Sequence, residues 1–88
     1  MKVLGQQKRA LWDVDNIEIF PAAYENNPLR MCGQKAETFI GSWVHPRGLA
    51  KKMFVVLGIY SHERCLEVMA DLVAFYKEGG HVYEMPKE

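Results

Sequence analysis

The stretch that most constrains the fold is residues 53–80, where an apolar strand runs into an amphipathic helix. Residues 53–60 read MFVVLGIY and are apolar on both faces, which predicts a strand in the middle of a sheet or in a barrel. Gly58 within it indicates a bulge or a close approach by the helix. Apolar residues then recur at helical spacing and cover about half of the helix circumference. We expect all of them to pack in the core: Cys65, Leu66, Val68, Met69, Leu72, Val73, Phe75 and Tyr76.

Both ends of this helix carry recognisable signals. Ser61 is the predicted N-cap, because its hydroxyl can accept a hydrogen bond from a backbone N–H of the first turn. Glu63 in that turn suits the positive end of the helix dipole. The pair Gly79-Gly80 predicts a left-handed C-terminal stop. The sequence therefore predicts a helix over about residues 61–78.

Alternating apolar residues predict short strands along most of the remaining chain. The predicted strands cover residues 2–6, 10–14, 17–20, 37–44 and 81–85. Residues 25–28 are a loop by composition, and residues 29–32 are interpreted as a further short strand. The predicted fold is a single α+β domain over residues 1–88. A curved antiparallel sheet, or a small partly open barrel, of five or six short strands is covered by the C-terminal helix and completed by a short closing strand.

The charge balance limits what the chain can bind through long-range electrostatics. Lys and Arg number 11, Asp and Glu number 11, and the formal net charge is zero. Such a chain has no global field that attracts it to nucleic acid or to an anionic membrane. No apolar run approaches the roughly 20 residues that span a bilayer, and the polar start predicts no signal peptide. We expect a cytoplasmic protein without membrane contact, with Cys32 and Cys65 as reduced thiols.

The residues that could bind a metal or act as a nucleophile are scattered. His62 and Cys65 lie three apart on the predicted helix, and Cys32 or His81 would have to complete a zinc site. No C-x-x-C pair is present, and Cys65 falls on the apolar arc, which indicates an inert buried thiol. The sequence therefore predicts no metal site and no cofactor.

One acidic cluster is the remaining candidate for a catalytic or cation site. Asp13, Asp15 and Glu18 surround a predicted turn. They could act as a carboxylate pair or bind a cation, but this spacing is more typical of a solvated hairpin end. The chain also lacks a Gly-rich phosphate loop, a Ser-His-Asp order and a dinucleotide fingerprint. We predict that it is not an enzyme.

Basic residues beside a tryptophan give the chain one candidate interaction surface, at the predicted hairpin over residues 45–52. The candidate residues are Trp43, His45, Arg47, Lys51 and Lys52. Basic side chains beside an aromatic ring can contact phosphate and a base, so nucleic acid is one partner to consider. Trp43 is also a core candidate, as is Trp12, because a small domain needs its large side chains buried.

Three segments carry a resemblance to a known family. They are MKVLGQ at residues 1–6, LGIYS with ERCLEVM at 57–69, and YEMP at 83–86. In this order they resemble a family of small uncharacterised proteins encoded by prophages and mobile elements of Gram-positive bacteria. The resemblance covers both ends of the chain well and residues 21–52 poorly. Gly5 departs from the family, which usually has a serine before its glutamine.

The resemblance and the lack of a catalytic pattern together give the predicted function. The family has no assigned activity, so the resemblance implies a setting and no reaction. We expect a non-enzymatic accessory or adaptor protein of a phage or mobile element that acts through contacts with an unidentified protein partner. The alternative is a nucleic-acid-binding accessory protein that uses the basic hairpin around residues 45–52. A homodimer is also considered, because a short sheet has edges that need covering.

Overall fold

Six short strands and two helices are present in the computed structural model, which describes residues 1–45 and 51–88. The strands are β1 (Lys2–Leu4), β2 (Leu11–Asp13), β3 (Glu18–Phe20), β4 (Phe39–Val44), β5 (Met53–Ile59) and β6 (Val82–Glu84). The helices are α1 (Pro28–Met31) and α2 (His62–Lys77). The predicted α+β class is confirmed. The prediction of one curved sheet or barrel is wrong in its detail, because the described strands form two three-stranded sheets and no closed barrel.

The first sheet has the strand order β2-β1-β6, with β1 in the centre. Val3 lies opposite Trp12 on β2 and opposite Tyr83 on β6. The pair β1–β2 is antiparallel, but β1–β6 is parallel, which corrects the prediction of a wholly antiparallel sheet. A parallel pair needs a long crossover connection, and the chain between β1 and β6, which includes α2, supplies it.

The second sheet has the order β3-β4-β5 and is antiparallel throughout. The prediction that β5 lies in the middle of a sheet is wrong, because β4 is the central strand. The predicted bulge is present beside Gly58: Ile40 faces Gly58 while Gly41 faces Val56, so one residue of β5 is extra. The close approach at Gly58 is made by a tyrosine ring rather than by α2, since a Cβ there would lie 2.5 Å from the ring of Tyr60.

Gln6 follows β1 of the first sheet and hydrogen-bonds to β5, which is a terminal strand of the second sheet. Its backbone N–H donates to the Leu57 carbonyl at 2.8 Å. Its side-chain Oε1 accepts from the Ile59 N–H at 2.8 Å, while Nε2 donates to the Ile59 carbonyl at 3.3 Å. The same Nε2 donates to the Lys87 carbonyl at 2.8 Å. One glutamine therefore satisfies backbone groups that a neighbouring strand would otherwise pair.

The signals at the ends of α2 are confirmed in geometry. Ser61 Oγ accepts from the Arg64 N–H at 3.2 Å, as an N-cap does. At the other end Gly79 has φ +82°, and its N–H donates to the Tyr76 carbonyl. The Gly80 N–H donates to the Phe75 carbonyl, which completes a Schellman ending. No described helix is long and apolar enough to cross a membrane.

The main core lies between α2 and the inner faces of the two sheets. Its buried residues are Val3, Val14, Ile40, Val55, Leu57, Tyr60, Cys65, Val68, Leu72, Tyr83 and Met85. On α2, Met69 and Phe75 are partly buried against this cluster. The expectation that all eight apolar residues of the helix pack in the core is wrong for three of them, because Leu66, Val73 and Tyr76 are exposed. The small sheets cover only part of the apolar arc.

Residues 29–32 do not form the predicted strand. They belong to α1 and its C-cap, with Asn27 as N-cap and Pro28 in the first turn. Proline is pre-organised for this position because its fixed φ suits the helix and its missing N–H would have no intrahelical partner. Leu29 is buried, so this turn of helix is held on the body of the protein by an apolar contact as well as by its cap.

Candidate functional site

A row of aromatic rings lies on the outer face of the second sheet, away from the main core. Phe20 and Phe39 pair across β3 and β4 and stack with ring centroids 4.9 Å apart. Phe54 on β5 lies 6.2 Å from Phe39 and 5.9 Å from Trp43, the latter edge to face at 71°. Phe39 is fully buried, whereas Trp43 is 43% exposed. The aromatic row thus contains one fully buried ring, Phe39, and ends at a ring, Trp43, that is accessible to solvent.

Asn27 fixes the segment of residues 21–37 beside this face. It is 1% exposed, and its Nδ2 lies 3.0–3.3 Å from the carbonyl oxygens of Phe20, Pro21 and Glu37. Its Oδ1 accepts from the Leu29 N–H at 3.0 Å. A buried amide with every polar atom satisfied specifies one arrangement of the backbone around it. Asn27 therefore joins three points of this segment, in addition to the apolar contact of Leu29.

A groove of about 450 Å³ opens between this segment and β3. We call it the aromatic groove; its lining includes Glu18 and Phe20 on β3, Trp43 on β4, and Tyr24 and Met31 from the segment. Tyr24 is 61% exposed and Met31 is 73% exposed. Among the described lining residues, Glu18 is the only charged one. The groove therefore offers large apolar side chains and one carboxylate beside the terminal strand of a sheet.

The predicted basic surface occupies a different depression, which Trp43 also lines. His45, Lys51 and Lys52 are exposed, and Arg47 lies outside the described residues. Trp43, His45 and Lys52 share a depression of about 350 Å³ with two carboxylates, Asp13 and Asp15. Part of the basic set and part of the acidic set therefore line the same depression.

This arrangement divides the predicted acidic cluster. Asp13 and Asp15 lie at the depression beside Lys52, whereas Glu18 lines the aromatic groove. The two cysteines among the candidate metal ligands also differ in exposure: Cys32 is exposed at the C-cap of α1, whereas Cys65 is a buried residue of α2. Within residues 1–45 and 51–88, no three His, Cys, Asp or Glu side chains group in a way that could hold a metal ion.

Three buried titratable groups lie in or near the main core. Burial raises the pKa of the Cys65 thiol, whose Sγ lies 3.8 Å from the Tyr60 carbonyl oxygen. Burial also raises the pKa of Tyr60 to about 12, and its hydroxyl donates to the Pro86 carbonyl. The pKa of Tyr83 is raised by burial and by the hydrogen bond that its hydroxyl donates to Asp71 at 2.7 Å. All three groups are thus stabilised in their neutral forms.

Sequence reasoning identified Trp43 but missed Tyr24, Asn27 and Met31. The dipeptide Asn27-Pro28 did carry a signal, because an Asn before a Pro is a typical N-cap and first-turn pair. Tyr24 and Met31 follow no periodic pattern that marks them as exposed neighbours. Only the fold of residues 21–37 brings them to the same groove as Trp43.

Comparison of the chain with family models, curated proteins and solved structures gave no match.

Proposed function

We propose that this chain is a non-enzymatic accessory protein of a phage or mobile element that binds an extended apolar segment of a partner protein in the aromatic groove. The observation that carries the proposal is the exposure of Tyr24, Met31 and Trp43 around one groove. Tyrosine, tryptophan and methionine are enriched in protein interfaces, and buried aromatic anchors contribute most of the binding energy there. Flexible methionine side chains also adapt to different partners.

The neighbouring strand supports an extended partner segment. In the described chain, β3 is the terminal strand of its sheet and three of its residues line the groove. A terminal strand can accept a further strand through backbone hydrogen bonds, while pockets beside it select side chains. Glu18 on β3 favours a basic residue in the partner. The expected partner segment therefore carries an aromatic or aliphatic anchor with a Lys or Arg near it.

The buried groups support a non-enzymatic role. Thiol nucleophiles work as thiolates, which needs a lowered pKa and access to substrate. The pKa of Cys65 is raised and its side chain is buried. The setting in a phage or mobile element rests on the resemblance of residues 1–6, 57–69 and 83–86. Two of these segments include Tyr60 and Pro86, and the Tyr60 hydroxyl donates a hydrogen bond to the Pro86 carbonyl.

Selection of peptides from a random library displayed on phage tests this function directly. We expect enrichment of peptides that combine a large apolar residue with a nearby Lys or Arg. Trp43→Ala and Tyr24→Ala should each weaken the selected peptides about tenfold or more, the loss typical of a hot-spot residue. Leu11→Ala is the matched control, because Leu11 is 51% exposed, close to the 43% of Trp43, but lies on β2. No enrichment, or an equal loss in the control, would overturn the proposal.

A further inference from the structure

Helix α2 carries a second apolar stripe that the two sheets leave uncovered. Leu66, Val73 and Tyr76 are 53%, 41% and 63% exposed, and Met69 between them is only partly buried. These four residues are spaced by three, four and three positions. That is the spacing of alternate a and d positions of a coiled-coil seam, which a second helix covers. We call Leu66, Met69, Val73 and Tyr76 the outer stripe.

We propose that the outer stripe pairs antiparallel with the same stripe of a second copy of this chain, around a two-fold axis near Ala70. The flanking residues point to this occupant. Glu63, Ala70 and Lys77 recur every seven positions on one side of the stripe, at the e positions of the seam. In an antiparallel pair equivalent e positions face each other, so Glu63 lies opposite Lys77 of the second copy. Two-fold symmetry forms this ion pair twice.

The apolar layers of such a pair are also complementary. Leu66 faces Tyr76 of the second copy, and Met69 faces Val73 of the second copy, each contact occurring twice. The small side chain of Ala70 meets its own equivalent at the axis and allows the helices to approach closely. A parallel pair would instead place e positions against g positions of the second copy. The g positions of this seam, Cys65 and Leu72, are buried in the main core, so Glu63 and Lys77 would form no ion pair there.

The charges around the outer stripe favour a second helix as its binding partner over a membrane or nucleic acid. Beside it runs a groove of about 430 Å³ whose opposite wall includes Met1 and Ile17. The polar face of α2 carries Glu67, Asp71 and Glu78, which repel anionic lipid and phosphate. A second copy brings its Lys77 to Glu63, and an anionic lipid surface offers no such cation.

The proposed dimer is independent of the aromatic groove and is expected to be weak. Helix α2 has 16 residues and is therefore about 24 Å long. An interface of one such helix per copy falls at the lower end of the sizes of specific complexes, so we expect a dissociation constant in the micromolar range. The exposure of Tyr24 and Trp43 plays no part in it, so either proposal can fail without the other.

Sedimentation equilibrium of the full chain over about 5–500 µM tests the dimer, since this range brackets a micromolar dissociation constant. We expect Val73→Glu to raise the dissociation constant at least about tenfold, because it places a carboxylate against an apolar layer. Ala74→Glu is the matched control, since it adds the same charge one residue away on an exposed position off the stripe. Circular dichroism of dilute samples checks that each variant is folded. A monomer at every concentration, or equal loss in the control, overturns the proposal.

A charge exchange tests the antiparallel arrangement and does not depend on how well the Val73 variant folds. Glu63→Lys and Lys77→Glu should each weaken the dimer, because each one opposes like charges across the axis. The double variant should bring the dissociation constant back to within about threefold of the original value, since the opposite charges face each other again. A double variant as weak as the single ones would overturn the antiparallel pairing.

Discussion

Replacement of Asn27 by aspartate should destabilise the segment that forms one wall of the aromatic groove. The two side chains have nearly the same shape, so the substitution leaves no cavity. Aspartate still accepts the hydrogen bond from the Leu29 N–H, and the N-cap of α1 is kept. It cannot donate to the carbonyls of Phe20, Pro21 and Glu37 when ionised. The loss of stability therefore reports on the donated hydrogen bonds, because the side-chain shape and the N-cap are unchanged.

The size of the effect follows from the contacts of the amide. Two N–H groups are lost, at about 1 kcal/mol net each, and this gives about 2 kcal/mol. A carboxylate that is 1% exposed and faces three carbonyl oxygens adds a further penalty of roughly 1–3 kcal/mol. The expected loss in free energy of unfolding is therefore about 3–5 kcal/mol near pH 7. Asn27→Ala, which removes about three hydrogen bonds but adds no charge, should cost about 3 kcal/mol.

Urea unfolding followed by circular dichroism and tryptophan fluorescence measures both variants. The pKa of the introduced carboxyl should lie above its unfolded value of about 3.9, because burial and the carbonyl oxygens disfavour the charged form. Such a group loses stability as the pH rises from its unfolded pKa to its folded pKa. The gap between the aspartate variant and the original protein should therefore shrink as the pH falls toward 4. A loss below about 0.5 kcal/mol at pH 7 would refute the reasoning about Asn27.

Three further measurements address the contacts that join β5 to its surroundings. Gly58→Ala should cost about 1–3 kcal/mol in a urea titration, because its Cβ meets the Tyr60 ring at 2.5 Å, whereas Gly5→Ala, with nothing closer than 3.8 Å, should be nearly neutral. Gln6→Glu should lose about 1–3 kcal/mol, because a carboxylate cannot donate to the carbonyls of β5 and Lys87; an unchanged melting temperature would count against this role. With the pKa of Tyr60 at about 12 and an unfolded value of about 10, the folded state retains a proton that the unfolded state releases. Stability should therefore fall from about pH 10 to about pH 12, and Tyr60→Phe should reduce that fall.

The helix α2 could be predicted from the sequence because its signals are local. Ser61 caps it through a residue three positions away, and Gly79 ends it through its own backbone conformation. Local signals do not determine which of its apolar residues become buried. The two small sheets fully bury Cys65, Val68 and Leu72 and leave the rest of the apolar arc partly or largely exposed. The periodicity therefore predicted the helix correctly and its buried face too broadly.

The sheet topology depends on contacts that no periodic pattern encodes. β5 is apolar on both faces, which favours a central strand, yet at the end of its second edge Gln6 bonds the Leu57 carbonyl and both backbone groups of Ile59. Hydrogen bonds from a single glutamine leave no alternation to detect. The segment of residues 21–37 is similar, since contacts of individual residues, such as the hydrogen bonds of Asn27 and the burial of Leu29, position it rather than a periodic run of residues. The aromatic groove lies beside this segment, so the candidate site was the least predictable part of the chain.

Changing the charge of the depression beside Trp43 distinguishes a protein-binding function from a nucleic-acid-binding function. Asp13 and Asp15 line it together with His45 and Lys52, so its formal charge is −1 with histidine counted as neutral. Asp13→Asn with Asp15→Asn would raise it by two units, and we expect this variant to bind single-stranded DNA weakly, with an affinity that falls as salt rises. The original protein should show no such binding in a fluorescence anisotropy titration at about 0.15 M salt, where exposed charges are screened beyond roughly 8 Å. Steep, salt-dependent binding by the original protein would instead favour the nucleic-acid alternative, because it would mean that the two carboxylates do not neutralise this surface.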